Sequence, residues 1–203
     1  MKYEIKIKTG YDKNIFYKEN SKLDITSNSY TLSMYPVLIE LRKYEEEQSG
    51  ELIADITGYY FDLDYMLNES ISKFEIFDSE SGEIYELYEA LFDNDELLEE
   101  IETINQNIFY ISDIYVSEEY RQAGYFTMII NQLDEILQYI AKLNVGVIAT
   151  RIYEYETCDK IDSIEHLTKA EKEILKNKII NTLINADYKI LEKDTNYLVK
   201  VLY

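Results

Sequence analysis

The stretch of the chain best suited to chemistry runs from Ser117 to Phe126, Ser-Glu-Glu-Tyr-Arg-Gln-Ala-Gly-Tyr-Phe. It follows a β-rich run, Asn107 to Val116, and leads into a run of helical spacing from Phe126 to Leu143. A strand that ends in a glycine-containing turn and then opens a helix presents free backbone N–H groups. Those groups, with the helix dipole behind them, suit a phosphate or diphosphate. Arg121 adds the one positive charge between 117 and 125, next to Glu118 and Glu119. On the residues alone, the same turn is equally an ordinary strand–helix connection in which Arg121 pairs with one of those glutamates.

Other reactive side chains are sparse. His166 is the only histidine, so a site built on several imidazoles is excluded. Cys158 has Asp159 beside it and only Lys160 as a nearby base, with nothing to activate the thiol. Pairing of Cys158 with His166, eight residues on, is disfavoured. Asp93, Asp95 and Glu96 lack the glycine and the spacing of a calcium loop, so no metal is expected.

The elements that must position the turn follow from periodicity. Lys2 to Lys8 alternates polar and apolar, as a strand does. Residues 11–30 are polar and poorly periodic, fitting a short helix and loop. Val37 to Tyr44 and Glu51 to Phe61 predict a hairpin turned by Gln48-Ser49-Gly50, with Leu52, Ala54 and Ile56 on one face. Residues 62–102 hold fifteen acids and one base, Lys73. Within them Ile84, Leu87, Tyr88 and Leu91 have helical spacing, as do Leu97, Leu98 and Ile101. That predicts two or three acidic amphipathic helices with their apolar faces on the sheet.

Beyond the turn, Ile129, Ile130, Leu133, Ile136, Leu137 and Ile140 predict one long helix over 126–143. Val145 to Thr150 predicts a strand buried on both faces. Thr168 to Ala186 predicts a helix opened by a capping box, Thr168 with Glu171. Lys189 to Leu191 and Tyr197 to Tyr203 predict closing strands. Strand, helix and strand in alternation imply a crossover onto a parallel pair. The expected fold class is α/β, a mixed and twisted central sheet flanked by helices, with 62–102 as an acidic helical insertion in one domain over 1–203.

Composition narrows the functional classes. With 203 residues, 46% of them hydrophobic, the chain is long enough for a real core. No apolar run reaches the roughly 18 residues that span a membrane. The N-terminus lacks the unbroken apolar segment of a signal peptide. One cysteine allows no intrachain disulfide, which fits a cytoplasmic setting. Forty acids against twenty bases give a net charge of −20. Direct binding to nucleic acid or to anionic membranes is therefore disfavoured. The charge serves solubility, or it attracts a basic protein, a polyamine or metal cations.

The segment Ile114-Tyr115-Val116-Ser117-Glu118-Glu119-Tyr120-Arg121-Gln122-Ala123-Gly124-Tyr125-Phe126 resembles the acetyl-CoA-binding motif of the GNAT N-acetyltransferase superfamily. In that pattern an apolar strand ends in Val, and a Pro-containing turn leads to Arg/Gln-x-x-Gly-x-Gly/Ala. Val116, Tyr120, Arg121 and Gly124 fall on matching positions. The hairpin over 37–61 is similar to the family's second and third strands, and Val145 to Thr150 to its fifth. Ala186-Asp187-Tyr188-Lys189 resembles the Leu-Gly-Phe-Lys that follows the family's last helix.

The resemblance implies acetyl-CoA as cofactor, lying across Tyr115 and Val116. Its diphosphate would rest on the turn formed by Arg121, Gln122, Ala123, Gly124, Tyr125 and Phe126. It implies direct attack by an amine on the thioester, the chain positioning both reactants and moving protons. Asp113 lies close to where the family often places a general base. Equally, it is a strand-end carboxylate facing solvent. Leu183 stands where many members carry the tyrosine that protonates the leaving thiolate, and Tyr153 and Tyr155 are the substitutes at hand. Glu118 replaces the Pro, Phe126 the second Gly/Ala, and Asp187 a Gly. Two functions remain open. One is an N-acetyltransferase acting on an amine of a cationic small molecule or protein. The other is a decayed acetyltransferase scaffold that docks a basic partner protein through the acidic segment, and the changes at Phe126 and Leu183 favour it.

Overall fold

The computed structural model describes residues 2–9, 32–44, 50–152 and 168–202. Seven strands form one mixed sheet: β1 (Lys2–Thr9), β2 (Met34–Tyr44), β3 (Glu51–Phe61), β6 (Ile108–Val116), β7 (Val147–Arg151), β8 (Lys189–Ile190) and β9 (Tyr197–Val201). Their order is β1-β2-β3-β6-β7-β9-β8. Among the described residues only β6 and β7 pair in parallel; the other neighbours are antiparallel. The expected crossover is therefore present, and the fold is a mixed α/β sheet with helices on both faces. No helix among the described residues is long and apolar enough to cross a membrane.

The two faces carry separate cores. On one, Ile39, Ile56, Phe109, Ile111 and Ile148 pack under Ile129, Ile130, Leu133 and Leu137. On the other, Phe61, Tyr110, Val147, Ala149 and Tyr197 pack under the acidic segment, which supplies Met66, Phe77, Ile84, Leu87 and Leu91. Glu40, buried on β2, takes two bonds from Arg42 (2.9 and 3.3 Å) and lies 3.2 Å from Lys8. The Arg42 bonds hold its carboxyl below the usual range.

The acidic segment forms three short helices, α1 (Leu63–Asn68), α2 (Lys73–Glu80) and α3 (Gly82–Leu91). Each opens on a side-chain cap: Asp62 accepts from Tyr65 N–H, Ser72 from Glu75 N–H, and Ser81 from Ile84 N–H. Ile84, Leu87 and Leu91 are buried and Tyr88 is half-buried, as their spacing predicts. Leu97, Leu98 and Ile101 do not form a helix. Two-residue strands β4 (Phe92–Asp93) and β5 (Glu96–Leu97) precede a 3-10 turn over Glu99–Ile101. Asn94 and Asp95 sit at φ 50° and 66°, the left-handed pair that a two-residue hairpin turn requires.

The long helix expected over 126–143 is also broken. Helix α4 (Tyr125–Asn131) stops at Gln132, an α-turn spans Leu133–Glu135, and a π-turn spans Ile136–Ile140. The wide turn keeps Ile136 and Leu137 inward and turns Tyr139 and Ile140 out, and the chain then drops to the buried Leu143 and Val145. On β3, the alternation expected of Leu52, Ala54 and Ile56 fails because Ile53 is an extra residue. The pairs run Leu41↔Ala54 and then Arg42↔Leu52, so Ile53 and Ala54 are both buried and Leu52 only half so. Helix α5 (Lys169–Asn185) carries the predicted capping box. It ends in a Schellman motif: Tyr188 N–H donates to Leu183 O (3.1 Å), Asp187 N–H to Ile184 O (3.1 Å), and Asp187 adopts φ 68°. The segment 11–30, the Gln48-Ser49 part of the hairpin turn and the stretch holding Tyr153, Tyr155, Cys158 and His166 lie outside the described residues.

Candidate functional site

The site is built on a strand that outruns its neighbour. Pairing of β6 with β7 covers Ile108 to Ile111 against Val147 to Thr150 and then stops. β6 continues to Val116, held on its other side by β3. The backbone of Ser117 shows which way the groups point. Its N–H donates to Ile53 O on β3 (2.9 Å). Polar groups alternate along a strand, so those of Ile114 and Val116 face the open edge.

A second bulge sets the side chains of this end. Thr57 pairs with Asp113 and Gly58 with Ile111, leaving Ser112 extra. Ser112 Oγ donates to Thr57 O at 3.2 Å. Ile114 and Val116 consequently pack on the core of α4, while Asp113 and Tyr115 share the opposite face with Tyr110. Asp113 and Tyr115 are half-buried.

The turn that follows is a 3-10 turn, Glu118–Tyr120, and then four residues to the start of α4. Gln122 has φ 63° and Gly124 φ 85°. Nothing lies within 4 Å of where a Cβ on Gly124 would stand, so its outer side is open. Among the described residues, the N–H groups of Gln122, Ala123, Gly124, Tyr125 and Phe126 have no acceptor. Successive N–H groups around a left-handed residue form a concavity suited to an anion.

Arg121 folds back on its own strand. Its Nε donates to Val116 O (3.1 Å) and its Nη1 lies 3.6 Å from Glu118 Oε1. Phe126 packs against the core and does not obstruct the turn. Tyr120 donates to Glu51 Oε2 (2.6 Å), and the Tyr125 and Tyr3 hydroxyls lie 3.3 Å apart. Those bonds raise the pKa of Tyr120 and of Tyr125, leaving both phenols neutral at ordinary pH. Leu183 is buried in the core below α5, so no donor hydroxyl stands at that position.

A second polar group lies on the Tyr110 face. Arg151 closes β7, and its Nη1 is 2.5 Å from Glu86 Oε2 on α3. Burial opposes the Arg151 charge, but Tyr197, Glu86 and Tyr110 together raise its pKa. Tyr110 donates to Glu83 Oε1 at 2.5 Å. These residues were not among the sequence-predicted site. One signal was available: Arg151 ends the apolar run Val-Ile-Ala-Thr-Arg with a charge. Among the described residues, no cluster of three His, Cys, Asp or Glu is placed to hold a metal.

No protein family and no curated protein matches the chain in sequence. Among solved structures it is similar to Arabidopsis thaliana NAA60 in complex with a bisubstrate analogue. The identity is 12% over 84% of this chain and 77% of that one, with a TM-score of 0.40. A structure of the same protein in complex with acetyl-CoA is 11% identical over 98% and 99%, also with a TM-score of 0.40.

Proposed function

We propose that the chain is an acetyl-CoA-dependent N-acetyltransferase acting on a cationic amine. The observation that carries this reading is the end of β6, whose β7 side has no partner strand among the described residues, leading directly into a turn of N–H groups without acceptors and an open Gly124. N–H groups without backbone acceptors suit the charge of the cofactor's diphosphate. The N–H groups from Gln122 to Phe126 would hold its diphosphate, and the backbone of Ile114 with the N–H of Val116, whose carbonyl Arg121 already occupies, would pair with its amide-bearing arm. Bound there, acetyl-CoA supplies an acyl group activated as a thioester. Asp113 and Tyr115, on the face opposite α4, would meet the acceptor, with Asp113 taking a proton from the amine. Tyr153 and Tyr155 remain the candidates for giving one to the departing sulfur.

Calorimetric titration with acetyl-CoA at low salt tests the reading. Saturable binding is expected, and Gly124→Asp should abolish it by placing a bulky anion over the turn. Gly124 adopts φ 85°, where any side chain adds strain, so the variant's circular dichroism is measured beside its binding, and a folded variant that binds as the parent does would move the site elsewhere.

The attachment of Arg121 to Val116 O and Glu118 favours a second reading, in which the turn has lost its cation for phosphate and the scaffold docks a basic protein. No binding at millimolar acetyl-CoA would leave that reading standing and remove the first.

A further inference from the structure

We propose that two copies of this chain pair through β1, edge to edge and antiparallel, joining their sheets into one. The inference is independent of the acetyl-transfer reading. Among the described residues no strand lies on the outer side of β1. Alternate residues of an edge strand direct N–H and C=O groups away from their one neighbour, and those groups template a further strand. The two edges of this sheet differ. At the far edge β8 is two residues long, too short to hold a partner. β1 is eight residues long and pairs with β2 from Lys2↔Tyr44 to Thr9↔Val37 without a shift of register.

Edges are commonly protected by a bulge, a proline or a charge pointing into the core. β1 has no bulge and no proline. Its Ile5 and Ile7 are half-buried against the core that α4 covers, so Glu4, Lys6 and Lys8 lie on the opposite face. The lysines, the remaining safeguard, are held within the sheet. Lys6 Nζ is 3.8 Å from Glu4 Oε2, and Lys8 Nζ is 3.2 Å from Glu40 Oε2.

Charge points to a second copy as the occupant. The acidic segment packs over β3, β6, β7 and β9, and it holds fifteen acids and one base. β1 holds three lysines and one glutamate, so two copies that meet there keep their acidic segments apart. Across a two-fold axis normal to the sheet, facing residues share a face, which puts the axis on one residue. An axis on Glu4 or Lys6 sets a charge opposite itself, and an axis on Ile7 sets Lys6 opposite Lys8. With the axis on Ile5, Glu4 of each copy faces Lys6 of the other, Ile5 faces Ile5, and Tyr3 faces Ile7. At the ends Lys2 faces Lys8, whose ammonium Glu40 already holds. Tyr3 is 52% exposed, so its contact with Ile7 removes apolar surface from water. The Tyr3 and Tyr125 hydroxyls lie 3.3 Å apart, which makes the interface continuous with the turn at the start of α4.

The test is sedimentation velocity of the whole chain from about 1 to about 100 μM, a range that populates an interface of micromolar affinity. Hydrogen exchange of residues 2–9 is followed over the same range. A concentration-dependent dimer is expected, with β1 exchange slowing as it forms. Glu4→Lys and Lys6→Glu each set like charges opposite one another and should weaken the dimer about tenfold. The double variant restores opposite charges and should recover the parent's affinity. The two side chains are 51% and 45% exposed, so the variants keep the fold and report on association. A dimer that the single variants leave unchanged, or a double variant no better than the singles, would overturn the proposal. So would a monomer throughout the range, and slow β1 exchange in that monomer would assign the edge to another segment of the same chain.

Discussion

The two halves of β6 are made of similar residues and behave differently. From Ile108 to Ile111 every side chain is buried, alternating between the two cores, and the backbone is paired on both sides. From Ser112 to Val116 no side chain is fully buried, and among the described residues only β3 is paired with it. The end of β7 makes the difference, together with one extra residue at Ser112. A candidate site has thus been opened in the middle of a sheet by shortening a neighbour, with the lower half acting as a rigid clamp.

The comparison can be broken first at Gly58. A Cβ there would stand 2.2 Å from Tyr110 O, so the clamp depends on a bare backbone at that point. Gly58→Ala should cost about 3 kcal/mol by overpacking, read as a lower urea midpoint. A variant as stable as the parent would show that the lower half is not tightly fixed. A smaller loss is expected from Tyr110→Phe, which removes the bond to Glu83. About 1.5 kcal/mol should go by the same measurement, the value for a hydrogen bond to a charged group. The smallest effect belongs to the upper half. Arg121→Ala removes one bond to Val116 O and a pair with a largely exposed Glu118. It should cost about 0.5 kcal/mol, and a loss as large as that of Gly58→Ala would erase the distinction between the halves.

Features set by neighbouring residues were legible in the sequence. The capping box Thr168/Glu171 is one, and the crossover from Val116 to a strand expected at 145–150 and found at Val147–Arg151 is another, since apolar runs separated by a helical pattern have few ways to pack. The breaks were not legible. The bulges at Ile53 and Ser112 exist only relative to a partner strand, and nothing local marks an unpaired residue. The interruption of the helix at Gln132 reflects where Leu143 and Val145 must be buried, a tertiary demand that 3.6-residue spacing does not carry. Asn94-Asp95 was a local turn signal, but the spacing of Leu97, Leu98 and Ile101 imitates a helix and masked it. The Arg151–Glu86 pair joins residues distant in sequence, so only the residue types could hint at it. The motif at 114–126 marks the end of β6 and its turn; the Tyr110 face beside it is assembled from β6, β7, β9 and the Gly82–Leu91 helix, which no local pattern joins.

The acidic segment leaves the sheet after Phe61 and returns at Ile108, and those two residues are paired rungs of one ladder. Asn107 ties the two ends together, its side-chain Nδ2 donating to Asp64 Oδ2 and its Oδ1 accepting from Asp64 N–H, both at 3.1 Å. The sheet therefore imposes no length on what lies between. It does impose an inner surface, because Met66, Phe77, Ile84 and Leu91 roof one of the two cores. Under mutation the segment should behave as two layers: residues can be inserted or exchanged on the outside without cost to register, whereas the inner layer changes only together with the strands it covers.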